Sequence, residues 1–468
     1  MFLDKSVQTN EDDFMETESV VSTPSTPSTP LPFLEEDKEE LIQSIHDLIE
    51  DYLKEEILKM SNPNFMLEII DDITHILFQQ FIEAGLCSNL EFNTLHEFVD
   101  EECHEWFLSR NHVDCPIRHS PHHCENILMT EFTQDEEFSK KYITEKMEQI
   151  RKKDAENPPQ RTPEWYQRRY QMMTASNLWQ VLGSEAQKNR LIYEKCKPLD
   201  TVVTDSKWIS TEGSLHWGVK YEPLTVMLYE HMTGGQIGQF GCIAHSQHSF
   251  LGASPDGIVI NPESPLYGRL VEIKNIFNRE MDGVPSVAYW IQMQIQLQCC
   301  ELEACDFVET RFKEYENPQE FWCEEDSERV RGIILHFVPR DSLSNIPLYK
   351  YSPIKLLPPY LYEWIDKTKE DVAEEHVLYK THYWYLDDIR MTTILRNDAW
   401  FNEALPIIIQ TWDTIEQERV SGFQHRAPKK RSISIDIVMN DTSGCPVKPK
   451  GVTNGVCLIK LLESEMYN

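Results

Sequence analysis

The sequence has no run of the roughly 18 apolar residues that a membrane-crossing helix needs. Its opening, MFLDKSVQTNEDDF, lacks the basic-then-apolar order of a secretion signal. Cysteine is not concentrated either. Twelve are scattered through 468 residues without framework spacing, so free thiols are expected rather than a disulfide scaffold. Basic charge is scarce: 44 Lys and Arg stand against 78 Asp and Glu, a formal net charge of -34, so bulk electrostatics do not hold this chain on nucleic acid. These absences point to a soluble, intracellular protein, and 40% hydrophobic residues with 10% aromatics exclude wholesale disorder.

The acidity is local. Residues 1–100 hold 23 of the Asp and Glu but only 4 of the Lys and Arg, which leaves the rest far less hostile to a polyanion. Residues 1–34, with VVSTPSTPSTPLPF, read as a disordered acidic tail rich in Ser, Thr and Pro. Residues 35–155 read as a helical accessory region, since Leu41, Ile45, Leu48, Ile49 and Leu53, then Ile69, Ile70, Ile73 and Ile76, recur at helical spacing. Between Cys103 and Cys124 the chain is dense in Cys and His, and a zinc site and a His-rich exposed loop both fit. A charged helix then ends at Pro158-Pro159, and a core is expected over 156–345.

The chemistry concentrates in that core. RTPEWYQRRYQMMTASNLWQVLG suggests a helix, a break, and a second helix capped by Thr174 or Ser176. A helix N-terminus with a hydroxyl and a nearby guanidinium is suited to phosphate, although such a cap is commonly only a cap. TEGSLHWGVKYEPLTVMLYEHMTG fits an amphipathic helix with Glu222 near its start. FLGASPDGIVI and RLVEIKNI read as adjacent strands of a hairpin. Asp256 sits at the Pro-Asp-Gly bend, and period-two alternation puts Glu272 and Lys274 on one face with Val271 and Ile273 on the other. Two carboxylates beside an ammonium suit one or two Mg²⁺ ions, and oxygen ligands favour Mg²⁺ or Mn²⁺ over zinc. A solvated Asp turn beside an exposed Glu/Lys strand fits the same residues. On YWIQMQIQLQ, Tyr289, Gln292 and Gln296 fall on one helical face.

Taken in order, RTPEWYQRRYQMMTAS, Gly218 to Glu222 as GxxxE, SPDG, EIK and YxxQxQxQ resemble the YqaJ-like viral recombinase family, nucleases related to phage lambda exonuclease within the PD-(D/E)XK superfamily. The resemblance covers about residues 161–340. It implies a restriction-endonuclease-like α/β core, a mixed central sheet flanked by helices, with helical N- and C-terminal extensions. It implies that Asp256, Glu272 and the backbone carbonyl of Ile273 hold Mg²⁺, with Mn²⁺ able to substitute. Lys274 resembles the catalytic lysine acting on the attacking water, and Glu222 the helix glutamate beside the metals. Gln292 and Tyr289 resemble active-site residues of the following helix, while Arg169 and Ser176 resemble the receptors of a DNA 5'-phosphate. Gln171 departs from the family, whose members commonly have Gly there.

The activity so implied is a 5'-to-3' exonuclease on double-stranded DNA ends, leaving 3' single strands for recombination, repair or replication. An endonuclease of the same superfamily, or a catalytically weak DNA-binding scaffold, are the alternatives. DNA ends, a single-strand annealing protein and further copies of the chain are the expected partners, and the setting is viral, in host cytoplasm or nucleus. Cys299, Cys300 and Cys305 lack the spacing of an iron-sulfur variant. Residues 346–422 are expected to be a helical C-terminal extension, and 423–468, with HRAPKKRS, a basic linker and tail.

Overall fold

The computed structural model describes residues 35–83, 92–109, 136–159, 162–199, 214–326, 329–340, 346–356 and 358–427. The Ser/Thr/Pro tail, most of the stretch from Cys103 to Cys124 and the chain after Ala427 lie outside the described residues.

Helices α1 (Glu35–Glu56), α2 (Phe65–Glu83) and α3 (Phe92–Ser109) form where apolar residues recur at helical spacing. Their buried stripe includes Ile45, Ile49, Phe65, Ile69 and Val99, and it is continuous with Leu270, Trp290, Phe307 and Trp400 of the core. The accessory helices therefore share one apolar interior with the sheet. Helix α4 (Glu136–Ala155) is docked by polar bonds as well: Lys153 Nζ donates to the Ala244 carbonyl at 2.9 Å, and Asp154 Oδ1 accepts from the Gly241 N–H at 2.6 Å.

Thr162 starts α5 (Pro163–Tyr170), its hydroxyl accepting the Trp165 N–H and Pro163 standing where no N–H is needed. A short strand β1 (Met173–Thr174) and a single turn α6 (Ala175–Leu178) follow, then α7 (Glu185–Cys196), opened by a Ser184/Gln187 capping box. Next come α8 (Ser214–Thr233), β2 (Ile237–Gly238), β3 (Ile243–Ala244), β4 (Leu251–Ala253), β5 (Gly257–Val259) and β6 (Leu270–Asn275). After α9 (Val287–Cys300) the chain forms β7 (Ala304–Glu314), α10 (Pro318–Trp322), β8 (Arg331–Pro339) and β9 (Leu348–Tyr351). It ends in α11 (Pro358–Val372), β10 (His376–Leu395) and α12 (Asp398–Ser421).

The main sheet runs β2-β5-β6-β7-β10-β8-β9, and a small sheet runs β1-β4-β3. Strands β6 and β7 are parallel, with α9 as the crossover between them, while β5 pairs antiparallel with β6. Leu270 faces the cluster that holds Trp290 and Ile291 of α9, and Val271 and Ile273 face the cluster that holds Tyr229 of α8. This is the expected mixed sheet flanked by helices.

One expectation is overturned. Residues 346–422 are not a helical extension, because β10 is a 20-residue strand inserted between β7 and β8, and β9 is the sheet edge. Only α11 and α12 are helical there. The Asp387–Arg390 run that interrupts the apolar pattern is accommodated across strands: Asp387 accepts from Arg311 Nε at 2.5 Å and from Lys313 Nζ at 2.7 Å. Asp387 lies at a bulge between Leu386 and Asp388.

Among the described residues no helix is long and apolar enough to cross a membrane. The described cysteines, Cys299, Cys300 and Cys305 among them, are free thiols.

Candidate active site

The hairpin of β5 and β6 brings the first carboxylates together. Asp256 lies just before β5, and its Oδ2 accepts the Ile273 N–H at 2.7 Å, fixing the bend onto the next strand. Gly257 is required there: a Cβ would meet Ile237 Cγ2 at 2.4 Å, so β2 packs directly on the backbone beside Asp256.

Glu272 is 0% exposed and both of its oxygens are occupied. Oε1 accepts from Lys274 Nζ and from Gln292 Nε2 at 2.7 Å; Oε2 accepts from Gln296 Nε2 at 2.7 Å. The expected face of α9 is therefore turned onto the β6 carboxylate, with Tyr289 completing it: Lys274 Nζ lies 4.8 Å from the Tyr289 ring centroid.

Glu222 arrives from the other side of the sheet, and α8 is seated by a polar lock. Thr225 Oγ1 contacts Asn275 Oδ1 at 2.8 Å and Thr310 Oγ1 at 2.9 Å, and Asn275 Nδ2 donates to the Gly218 carbonyl at 3.3 Å. One helical turn further on, Tyr229 donates to Asp306 at 2.7 Å, and Asp306 also accepts from Arg269 at 2.6 Å.

The electrostatics join the groups into one unit. Burial and then the charges of Glu272 and Glu222 push the Asp256 carboxyl well above its usual range, against the pull of Lys274. Burial and Glu272 likewise raise Glu222. Burial works against the Lys274 ammonium, but Glu272 and Asp256 outweigh it and its pKa is raised, so it stays charged at neutral pH. Three carboxylates against one ammonium leave surplus negative charge, which a hard divalent cation fits, and the oxygen donors are the right kind. Among the described residues no group of three or more His, Cys, Asp or Glu side chains is arranged as a ready-made metal site. Hydrogen bonds already occupy the Glu272 oxygens, as above.

The turn α6 that carries Ser176 packs against α9, the helix of Gln292 and Gln296. The Arg169 guanidinium lies 4.7 Å from the Trp165 ring centroid, four residues back on α5. Ser176 is exposed, in reach of Thr174 Oγ1 at 3.5 Å. The second helix expected there is the short α6, continued by a 3-10 turn over Trp179–Val181, and the Thr174 side chain makes no capping bond. Gln171 is the C-cap of α5, its N–H bonded to the carbonyls of Gln167 and Arg168.

Residues 164–303 match the YqaJ-like viral recombinase domain. That match spans the candidate site residues from Arg169 to Gln296. The chain is 26% identical over 296 residues to an uncharacterized protein of Acanthamoeba polyphaga mimivirus, covering 55% of this chain and 52% of that one. It thus spans about half the length of the curated relative it matches. Two crystal structures of the alkaline exonuclease of Laribacter hongkongensis, one described as a complex with dAMP, are similar at 20% and 21% identity and a TM-score of 0.32. Each covers 55% of this chain and 94% of its own.

Two parts of the site escaped sequence reading. Gln296 was visible on the α9 face, but nothing in one sequence showed that it reaches Glu272. The Thr225, Asn275 and Thr310 lock had no local signal, because its members come from three elements.

Proposed function

We propose that the chain is a divalent-metal-dependent DNA nuclease acting as a 5'-to-3' exonuclease on double-stranded ends. The observation that carries the reading is the convergence of Asp256, Glu272 and Lys274 under the amides of Gln292 and Gln296, inside the YqaJ-like domain.

Asp256, Glu272 and the Ile273 carbonyl would hold Mg²⁺, with Mn²⁺ able to replace it. When bound, the ion polarises the scissile phosphate and lowers the pKa of a water. The residues do the rest. Lys274, kept as an ammonium by Glu272 and Asp256, donates hydrogen bonds that orient the attacking water and neutralise charge growing on the phosphoryl oxygens. Gln292 and Gln296 fix Glu272 in one rotamer, so the carboxylate is already in place when substrate arrives. Glu222, held by the α8 lock, shapes the negative field at the same point. Tyr289 packs on Lys274 and limits its swing. The water oxygen bonds to phosphorus as the bond to the 3' oxygen breaks, releasing a 5'-nucleotide. Arg169 and Ser176 receive the 5'-phosphate of the shortened strand, which sets the direction.

The test uses linear duplex labelled at either end, with and without a 5'-phosphate, beside closed circular DNA, in Mg²⁺ and in EDTA. Stepwise, metal-dependent loss from the 5' end supports the reading. Cuts in the closed circle assign an endonuclease instead, and binding without cleavage in either metal assigns a scaffold.

A further inference from the structure

The residues just before Glu222 on α8 are held from three strands. Glu314, the last residue of β7, accepts on Oε1 from Lys220 Nζ at 2.6 Å and from the Tyr221 hydroxyl at 2.8 Å. His382 of β10 places Nδ1 at 3.1 and 3.0 Å from the two Glu314 oxygens, and an ionised carboxylate only accepts, so that nitrogen carries the proton. From β9 the Tyr351 hydroxyl donates to the Lys220 carbonyl at 2.7 Å, and His216 Nε2 lies 2.5 Å from the Tyr349 hydroxyl.

This part of α8 needs an outside hold. Pro223 has no N–H, so the Val219 carbonyl loses its usual intrahelical donor in the very turn that carries Glu222. Consecutive helical residues point about 100° apart, so fixing one side chain fixes the direction of the next. Tyr221 is fixed on one side, stacked on Phe312 with ring centroids 4.9 Å apart and bonded to Glu314. Glu222 is turned to the candidate centre, where its carboxyl and those of Asp256 and Glu272 act on one another.

The hold is also costly. Burial pushes the Lys220 ammonium down, and Glu314 pulls it back up. Burial works against the Glu314 charge too, but His382 and then Lys220 outweigh it and keep the carboxyl well below its usual range. His382 Nε2 is buried with no hydrogen-bond partner among the described residues, so Glu314 is the group its imidazole serves. Buried ion pairs seldom stabilise a fold more than apolar residues would, and fixing a single arrangement is their better-attested use.

We propose that Glu314, backed by His382 and joined by Tyr351, is a positioning residue that holds Glu222 against Asp256 and Glu272 across the Pro223 break. The proposal deepens the function proposed above and rests on its placing of Glu222 at the metal centre. Glu314, Tyr351 and His382 all lie beyond the matched residues 164–303, so the β9 and β10 part of the sheet gains a role in the chemistry.

The test is a double-mutant cycle on Mn²⁺ affinity, by calorimetry, and on the maximal cleavage rate of linear duplex in Mg²⁺. It compares wild type, Glu314→Gln, Glu222→Gln and the double variant, each shown to be folded by its melting curve. Glu314→Gln keeps the shape but puts an amide N–H₂ where only an acceptor serves. It should weaken Mn²⁺ binding and slow cleavage about tenfold, the usual loss when a group behind a metal site is removed, with DNA affinity unchanged. The double variant should be no worse than Glu222→Gln alone, because Glu314 acts through Glu222. If Glu314→Gln does not fold, Tyr351→Phe takes its place in the cycle, with a smaller loss expected. Additive losses, or wild-type Mn²⁺ affinity in both the Glu314 and Tyr351 variants, overturn the proposal. Wild-type affinity in Glu222→Gln overturns the placing of Glu222 and the proposal with it. A non-additive cycle in Mn²⁺ binding, in a protein that cleaves no DNA, supports the positioning role and overturns the nuclease reading alone.

Discussion

Gln296 donates from Nε2 to Glu272 Oε2 at 2.7 Å while its own Oε1, equally buried, has no hydrogen-bond partner. A fully buried amide that leaves half its capacity unused is kept for the half it uses. Together with Gln292 it holds a carboxylate that is 0% exposed in one orientation, two residues from Lys274.

Replacing Gln296 with Ala should leave one oxygen of a buried carboxylate without a donor, at a cost of about 1–3 kcal/mol in stability. Chemical denaturation will measure this, and the maximal cleavage rate should fall while the apparent affinity for DNA changes little. Gln296→Glu places a second carboxylate against Glu272 and should be the worse variant on both readouts. If Gln296→Glu melted and cleaved like wild type, the hydrogen-bond assignment would be wrong.

Lys274→Ala removes the ammonium that faces three carboxylates. Cleavage should drop by roughly 10²–10³-fold, the usual loss when a preorganised donor to developing charge is deleted. Mn²⁺ binding, followed by calorimetry, should persist or tighten, because the competing cation is gone. Loss of metal binding together with cleavage would assign Lys274 a structural part instead.

The pair Arg269 and Asp306 lies under α8, with Asp306 also bonded to Tyr229 and Thr393. Asp306→Ala strands a buried guanidinium and should cost about 3–5 kcal/mol. The folded fraction should still bind metal, since Val271, the register partner of Asp306 on β6, faces away from Glu272. Denaturation and metal titration of the same variant separate the two effects.

Burial, then the charges of Arg169 and Arg419, push the ammonium of Lys195 on α7 down to about 8. Between that value and the free-lysine value of 10.5 the unfolded chain binds more protons than the folded one, so stability rises with pH across this window. Below pH 8 the cost of the buried ammonium is present in full. In DNA-free protein, the stability difference between wild type and Lys195→Met should therefore shift in favour of wild type from pH 8 to 10. A flat difference across that range would contradict the burial of a charged Lys195.

The site was largely legible because its elements are local and periodic. The Pro255-Asp256-Gly257 bend, the alternation from Val271 to Lys274 and the helical face from Tyr289 to Gln296 each follow from a few neighbouring residues. Where the sequence misled, the determinants were distant. YKTHYWYLDDIRMTTIL looks helical because Asp387, Asp388 and Arg390 break the strand alternation; Asp387 is satisfied from Arg311 and Lys313, more than 70 residues away, and Arg390 donates to Asp388. Register shifts near Leu378 and Leu386 blur the period further. Lys195 was equally silent, since its partners are the backbone carbonyls of Arg169 and Met172, more than 20 residues back.

The most direct measurement is the release of nucleotides from 5'-phosphorylated linear duplex by Glu272→Gln beside wild type, with Mg²⁺ or EDTA, after matching their melting temperatures. The account predicts rapid release by wild type in Mg²⁺ alone. It predicts background release by Glu272→Gln under every condition, because that side chain keeps its shape but loses the charge that holds the cation. Full Mg²⁺-dependent release by a folded Glu272→Gln protein would contradict it.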